Sequence, residues 1–426
     1  MRILALNFNQ KGVGSFRRSF YFSRELARAG HEVTLVTVSR ASRFRRSVLF
    51  KRDWIDEATE PRGSGPWIRL IEGPAWGYRM LPGWGSGPLD IWGRIRELEV
   101  GNYDAVFGFE HHPNVSWPVY LTQWRKRYAF FSDWCDWFGG CGNQFRGWRI
   151  AHRIDSYLEE RIRFYAERVS VTSKTLLARA LAIGIPREKV IHVPEGAATD
   201  YITPFDQSDA RRQFRLPQKA PIVVAVRNGD MCRHVRIFRE VVRQVPEALF
   251  LMVGRESRPA LDLAEHLGIA DRVKSTGWVS DEAYPRCLAC SDVCFYPLEE
   301  GQRDSARWPA KILDYLAAGR PVVTNSVGEV EGLFRQREVG VLTPQPDEEF
   351  AAAIVALLRE PERRRFLGEQ ARKVMVEEWD WRVRGAQIAG LVAPLARKAE
   401  EIIGESHMHE PRSPDLKRAS TDDCGP

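Results

Sequence analysis

The chain has 426 residues, of which 44% are hydrophobic and 28% charged, with a net charge of +7. At roughly 100–200 residues per domain this allows two or three domains, and the composition is that of a soluble globular protein, not a fibrous or disordered one. No apolar run reaches the roughly 18–20 residues that a helical membrane span needs.

Charge is unevenly placed. The first 52 residues hold 12 Lys and Arg against only Glu25 and Glu32. Such a basic end suits an anionic partner: a phosphorylated acceptor, an anionic membrane face or nucleic acid. The chain has an odd number of cysteines, seven, which argues against a disulfide framework. Cys287, Cys290 and Cys294 form C-x2-C-x3-C, which reads either as a metal site or as three small core residues. No fourth Cys or His stands close in sequence, so the core reading is preferred and no metal is expected.

In chain order, "RILALNF" (2–8) reads as a first strand. It lacks the length and cleavage site of a secretory leader, so a cytoplasmic chain is expected. The glycine loop "NQKGVGS" follows. Phe16, Phe20, Leu26 and Ala27 then mark a helical stripe, and "HEVTLVTV" a second strand. "RASRFRRSVLFKRDWI" (40–55) carries Arg40, Arg43, Arg45, Arg46, Lys51 and Arg52, with Phe44, Val48 and Ile55 on one helical face. That pattern suits an amphipathic segment on anionic lipid, or else a solvated loop or helix. Strand-like "YDAVFGF", "YAFFSDW", "RVSVTS" and "KVIHVP" alternate with helical segments. After a polar stretch near 196–220 a second series begins: "PIVVAV", "ALFLMVG", "RVKSTGW", "DVCFYPL", "RPVVTNS" and "GVLTP". The alternation predicts an α/β protein with two Rossmann-like domains facing a central cleft. The expected divisions are 1–200, 201–378, a helix over 379–403 packing back on the first domain, and a disordered tail over 404–426. In that tail His407 and His409 are given no role.

Three stretches carry chemistry. Gly12 and Gly14, between strand and helix, either let a ligand approach the backbone or make a tight turn with positive φ. "GQRDSARWPAKILDYLAAGRPVVT" (301–324) predicts a helix with Pro309 at its start and Gly319 past its end. Lys311 in its first turn is misplaced against the helix dipole unless an anion binds there. Asp314, one turn on, can accept from the two hydroxyls of a ribose. A plain Lys–Asp pair at i,i+3 is the competing account. "FFSDWCDWFGGCGNQFRGW" (130–148) is dense in aromatic rings, with Asp133 and Asp136 placed to take an acceptor hydroxyl or to act as caps.

"PAKILDYLAAGRPVVT" resembles the nucleotide-sugar-binding helix of retaining glycosyltransferases with the GT-B fold, the family-4-like group. "GVGSFRRSFYFSRELARAGHEVTLVT", "VSVTSKTLLARALAIGIPREKVIHVPEG", "DRVKSTGWVSDEAYPRCLACSDVCFYPL" and "VGVLTPQPDEEFAAAIVALLREPERRRFLGEQAR" are similar to further segments of that family. The likeness covers most of 1–395. It implies a ribose-binding carboxylate at Asp314 and diphosphate contacts from Arg233 and Arg227. It implies a base near Gly277, Trp278 and Val279, and a histidine approaching the donor sugar, His111 or His112.

The sequence also departs from the family. The first acid of the family's pair falls on Ala306, so Glu299, Glu300 or Asp304 would have to reach in. Asp314 replaces the usual Glu, and Arg233 the usual Lys. The expected activity is metal-independent transfer of a sugar, without change of anomeric configuration, from a UDP-, GDP- or other nucleoside-diphosphate sugar to a hydroxyl acceptor. A lipid-linked acceptor or an envelope polysaccharide precursor falls within that expectation. No cofactor and no nucleic acid are expected. Arg307, Lys311 and Arg233 would take the charge on the leaving diphosphate. Rival readings are a nucleotide-sugar epimerase or hydrolase of the same fold, and a non-catalytic binding protein.

Overall fold

The computed structural model describes residues 1–39, 51–55, 68–78, 85–125, 128–141, 149–227, 229 and 231–408. Residues 40–50, most of the basic amphipathic stretch, lie outside the described residues, as do 409–426 with His409.

Each apolar, β-branched run of the sequence forms a strand, and the amphipathic segments between them form crossover helices. In the first half the strands are β1 (Arg2–Gln10), β2 (Glu32–Val38), β3 (Lys51–Ile55), β4 (Ile68–Gly73), β5 (Ala105–Phe109), β6 (Ala129–Trp134), β7 (Arg168–Val171) and β8 (Val190–His192). They make an eight-stranded sheet in the order β3-β4-β2-β1-β5-β6-β7-β8. All pairings are parallel except β3 with β4.

The second half supplies β9 (Ile222–Val226), β10 (Leu249–Val253), β11 (Val273–Ser275), β12 (Val293–Tyr296), β13 (Val322–Asn325) and β14 (Gly340–Thr343). This sheet is fully parallel, in the order β11-β10-β9-β12-β13-β14. The two Rossmann-like sheets bear out the expected fold class. Strand order reverses beside β1 in one sheet and between β9 and β12 in the other, and such switch points are where open α/β sheets bind ligands. The glycine loop leaves β1, and the segment carrying Asp304, Arg307 and Lys311 leaves β12.

Three elements differ from the sequence reading, one of them the unanticipated strand β4. Lys51–Ile55 is an edge strand antiparallel to β4, so that end of the basic stretch follows a two-residue period, not a helical one. The helix Trp381–Met408 runs past Gly404, where a disordered tail was expected. Glu400, Glu401 and Glu405 favour helix, and one interior glycine costs only about 1 kcal/mol.

That last helix packs against the first domain. Trp381, Ile388, Leu391 and Val392 join its core, and Trp381 stacks on Tyr21 with ring centres 5.7 Å apart. A Cβ on Gly196 would come within 2.4 Å of the Trp381 indole, so this crossing requires glycine. Cys287, Cys290 and Cys294 lie in the apolar core of the second domain. Burial pushes their thiols up to about 12, 11 and 12, keeping them protonated. Among the described residues no helix is long and apolar enough to cross a membrane.

Candidate functional site

The segment leaving β12 forms a short turn of helix, Gln302–Ser305, followed by the helix Ala310–Ala317. Three cations project from it. Arg307 pairs with Asp304 at 2.6 Å, and the Asp304 carboxylate also accepts the Glu299 backbone N–H at 2.9 Å. Lys311 has no carboxylate within ion-pairing distance among the described residues. Burial, and next the Arg307 charge, bring its amine down to about 8. Across the cleft stands Asp136, beyond the end of β6. Burial pushes its carboxyl up, while Arg307, Arg303, Lys311 and Arg18 hold it down. Asp136 therefore faces a cationic wall from the opposite domain.

Position 306 explains the missing acid. Ala306 is fully buried among residues of the first domain's core, and its carbonyl accepts the Ser173 hydroxyl at 2.7 Å. No space there admits a carboxylate. Of the substitutes considered, Asp304 is committed to Arg307, and Glu299 and Glu300 are exposed.

One turn along the helix, Asp314 is buried. Its Oδ2 accepts from Arg17 Nη1 at 3.0 Å and from the Tyr284 hydroxyl at 2.8 Å. Arg17 belongs to the helix Phe16–Arg28 of the first domain, so the expected ribose carboxylate bridges the domains. Gly277, at φ 65°, ends β11's exit loop. There Trp278 is exposed and lies under the Arg255 guanidinium, 5.6 Å from its ring centre, and Val279 packs on the core. Arg227 donates to the Gly229 carbonyl.

Arg233 differs from expectation. Its three guanidinium nitrogens donate to Asp347 (2.9 Å) and to the carbonyls of Leu298 (2.9 Å) and Gln345 (3.0 Å). In this structure it staples the second domain together instead of offering a free fork to a phosphate.

The first domain corrects other expectations. Gly12 and Gly14 have φ of 71° and 56°, and a Cβ on Gly14 would lie 2.4 Å from Asn9 Nδ2. The turn therefore demands glycine whatever it binds. Asp133 is not open to an acceptor. It is fully buried, paired through both oxygens with Arg18 (2.7 and 2.8 Å), and takes the Ser170 hydroxyl at 2.5 Å.

His111 and His112 are both enclosed in the domain and not open to the cleft. His111 lies 3.2 Å from Asp155. Burial lowers its basicity, but Asp155 and Glu159 outweigh this and leave its pKa raised. His112 packs between Phe8 (3.9 Å) and Phe138 (4.8 Å) with neither ring nitrogen hydrogen-bonded among the described residues. Burial and the neighbouring His111 hold it neutral, well below the usual range. Nearby, burial pushes the Glu110 and Glu195 carboxyls up to about 7.

The structure thus brings Asp136, Arg307, Lys311 and Asp314 together, while Asp133 and Arg233 are taken up by partners of their own and the two histidines are enclosed. Sequence reasoning missed Arg17, Tyr284, Tyr201 and Arg303. The available signal was the pair Arg17-Arg18, two adjacent charges directly after the glycine loop, in the first turn of a helix where a cation opposes the helix dipole.

Two family models match the chain: "Glycosyltransferase Family 4" over residues 14–201 and "Glycosyl transferases group 1" over 223–360. A GDP-mannose-dependent alpha-(1-6)-phosphatidylinositol monomannoside mannosyltransferase of Mycolicibacterium smegmatis is 28% identical over 242 residues, which are 54% of this chain and 62% of that protein. The chain thus spans about six-tenths of the length of that curated relative. Sucrose-phosphate synthase from Thermosynechococcus elongatus superposes with a TM-score of 0.72 at 19% identity, covering 93% of this chain and 99% of that one. Anabaena HepE in complex with UDP and glucose superposes at 0.66 with 16% identity, covering 92% and 100%. The matching domain models and the two facing sheets identify the chain as a member of the family-4-like glycosyltransferases with the GT-B fold.

Proposed function

We propose that the protein transfers a sugar from a nucleoside-diphosphate sugar to a hydroxyl acceptor with retention of configuration. The donor would lie on the second domain, with its base near Gly277–Val279, its ribose on Asp314 and its diphosphate against Lys311, Arg307 and Arg303. The observation that carries this reading is the partly buried Lys311, whose ammonium has no carboxylate within ion-pairing distance among the described residues and sits beside Arg307 at a helix start. Such a site is electrostatically incomplete until an anion enters. As the C1–O bond to the diphosphate breaks, charge grows on the phosphate oxygen, and these cations would stabilise it. The acceptor oxygen would bond to C1 on the same face. Its proton would pass to the departing phosphate oxygen, with Asp136 positioned to orient the hydroxyl.

The relative's name gives GDP-mannose as donor and phosphatidylinositol monomannoside as acceptor, and the structural neighbour holds UDP and glucose. Both fit a nucleotide-sugar donor, and the former favours a lipid-linked acceptor handled at a membrane face. The test is a thermal-shift panel of nucleotide sugars, then turnover with lipid and soluble acceptors and NMR of the anomeric product. Absence of stabilisation by every nucleoside diphosphate and sugar nucleotide would end the proposal. Because Ala306 removes one family acid, a non-catalytic binder is the second reading. Nucleotide binding without turnover on any acceptor would favour it.

A further inference from the structure

Arg17 occupies an unusual position. It lies on the first domain, directly after the glycine loop, yet its Nη1 reaches Asp314 Oδ2 of the second domain at 3.0 Å. The guanidinium lies 4.8 Å from the Tyr201 ring centre and 5.2 Å from that of Tyr284. Its other terminal nitrogen donates to the Tyr201 hydroxyl at 3.3 Å, and that hydroxyl donates to the Asp281 carbonyl at 2.8 Å. Two rings and two acceptors therefore leave the guanidinium little freedom.

The contact loads one oxygen of Asp314 only. Oδ2 takes both Arg17 and the Tyr284 hydroxyl, while Oδ1 takes no donor among the described residues. The carboxylate remains 10% exposed. A cavity of about 540 Å³ lined by Gly12, Phe16, Arg17, Tyr21, Tyr201 and Pro285 opens at the same seam.

We propose that Arg17 is a positioning residue for the donor: from the first domain it fixes the Asp314 carboxylate of the second, leaving Oδ1 aimed for the ribose diol. The inference rests on the reading of Asp314 as the ribose acceptor. It makes nucleotide affinity depend on the two domains being together, because half of the ribose site's support comes from across the cleft.

Ionisation follows the same geometry. A carboxylate accepts two ribose donors, whereas a protonated carboxyl has given up part of that capacity. Burial pushes the Asp314 carboxyl up, and Arg17 is the strongest influence holding it down, followed by the Tyr284 hydroxyl and Lys311. The groups facing it are Arg17 and Tyr21 from the first-domain helix, Tyr201 from the domain crossing, Tyr284 from the helix Tyr284–Ala289, and Lys311 and Tyr315 from its own helix. Arg17 is the only cation among them from outside that helix.

The test is calorimetric titration of the full chain with UDP-glucose and with GDP-mannose, whose diphosphates do not titrate between pH 5 and 8. Arg17→Gln should weaken the ligand that binds by about tenfold at pH 7, the loss expected for one charge-assisted contact. It should also move the acid limb of the affinity profile up by about one pH unit. Arg17→Lys, which keeps the charge, should restore most of both effects, and Tyr284→Phe should give a smaller shift of the same sign. If Arg17→Gln binds as tightly as wild type, or more tightly, the ion pair is neutral or blocks the ribose and the proposal falls. An unmoved acid limb also overturns it. Asp314→Asn separates the two claims. If that variant binds normally, the ribose reading itself fails. If it binds weakly while Arg17→Gln does not, only the role of Arg17 fails. A wild type that binds neither probe removes both.

Discussion

Replacing Lys311 by Met separates stability from binding, because the lysine is costly before ligand arrives. Its amine stands at about 8 in place of the ordinary 10.5, chiefly through burial. A shift of one unit corresponds to about 1.4 kcal/mol, so holding this ammonium in the empty protein at pH 7 costs about 3 kcal/mol. The sign follows from the depressed value. The folded state binds the proton less well than the unfolded one, so the penalty is fully present below pH 8 and fades as pH rises through 10.5. Methionine keeps most of the stem and removes the charge. Lys311→Met should therefore stabilise the nucleotide-free protein at pH 7 by about 1–3 kcal/mol, or several degrees in melting temperature. The gain should shrink toward pH 10. The same variant should bind nucleoside diphosphates about 10–100-fold more weakly, having lost a charge-assisted phosphate contact. Paired melting curves at pH 7 and 10, with a titration of UDP and GDP, read both effects. A variant that melts no higher than wild type at pH 7, or whose gain is the same at pH 10, would refute the claim that this ammonium is uncompensated.

Further outcomes follow from other contacts. Asp133→Ala leaves the fully buried Arg18 without its two-oxygen partner and should cost about 3–5 kcal/mol in urea unfolding; a loss of activity at unchanged stability would instead restore Asp133 to the acceptor site. Gly14→Ala must place a methyl 2.4 Å from Asn9 Nδ2 at positive φ and should lose at least about 1–2 kcal/mol, read from the melting temperature. His112 is held neutral, so its burial penalises the folded state increasingly as pH falls below its ordinary value near 6.5. His112→Phe should reduce the acid-side loss of stability between pH 6.5 and 5 without impairing transfer at pH 7.5, and a large fall in kcat would return this imidazole to the reaction.

Twelve strands were legible because each contains a short β-branched or aromatic run between segments of helical period. The two that were missed, β3 and β4, have basic and acidic residues among their apolar ones, and their pairing at the sheet edge decides their form. Lys311 and Asp314 were legible as a ligand pair because a cation in a first turn conflicts with local electrostatics. The buried thiols were legible from residue type. By contrast, "SDW" and "CDW" look alike in sequence, yet Asp133 is sealed against Arg18 while Asp136 faces Arg303, Arg307 and Lys311. Arg233 lies where a phosphate ligand was expected, but Asp347 and two carbonyls claim it. Local sequence determines periodicity, turn chemistry and which residues conflict with their own helix. Only the tertiary structure sets which partner reaches a charge first, since Arg17 and Asp314 stand 297 positions apart and no local pattern records the closing of the cleft that joins them.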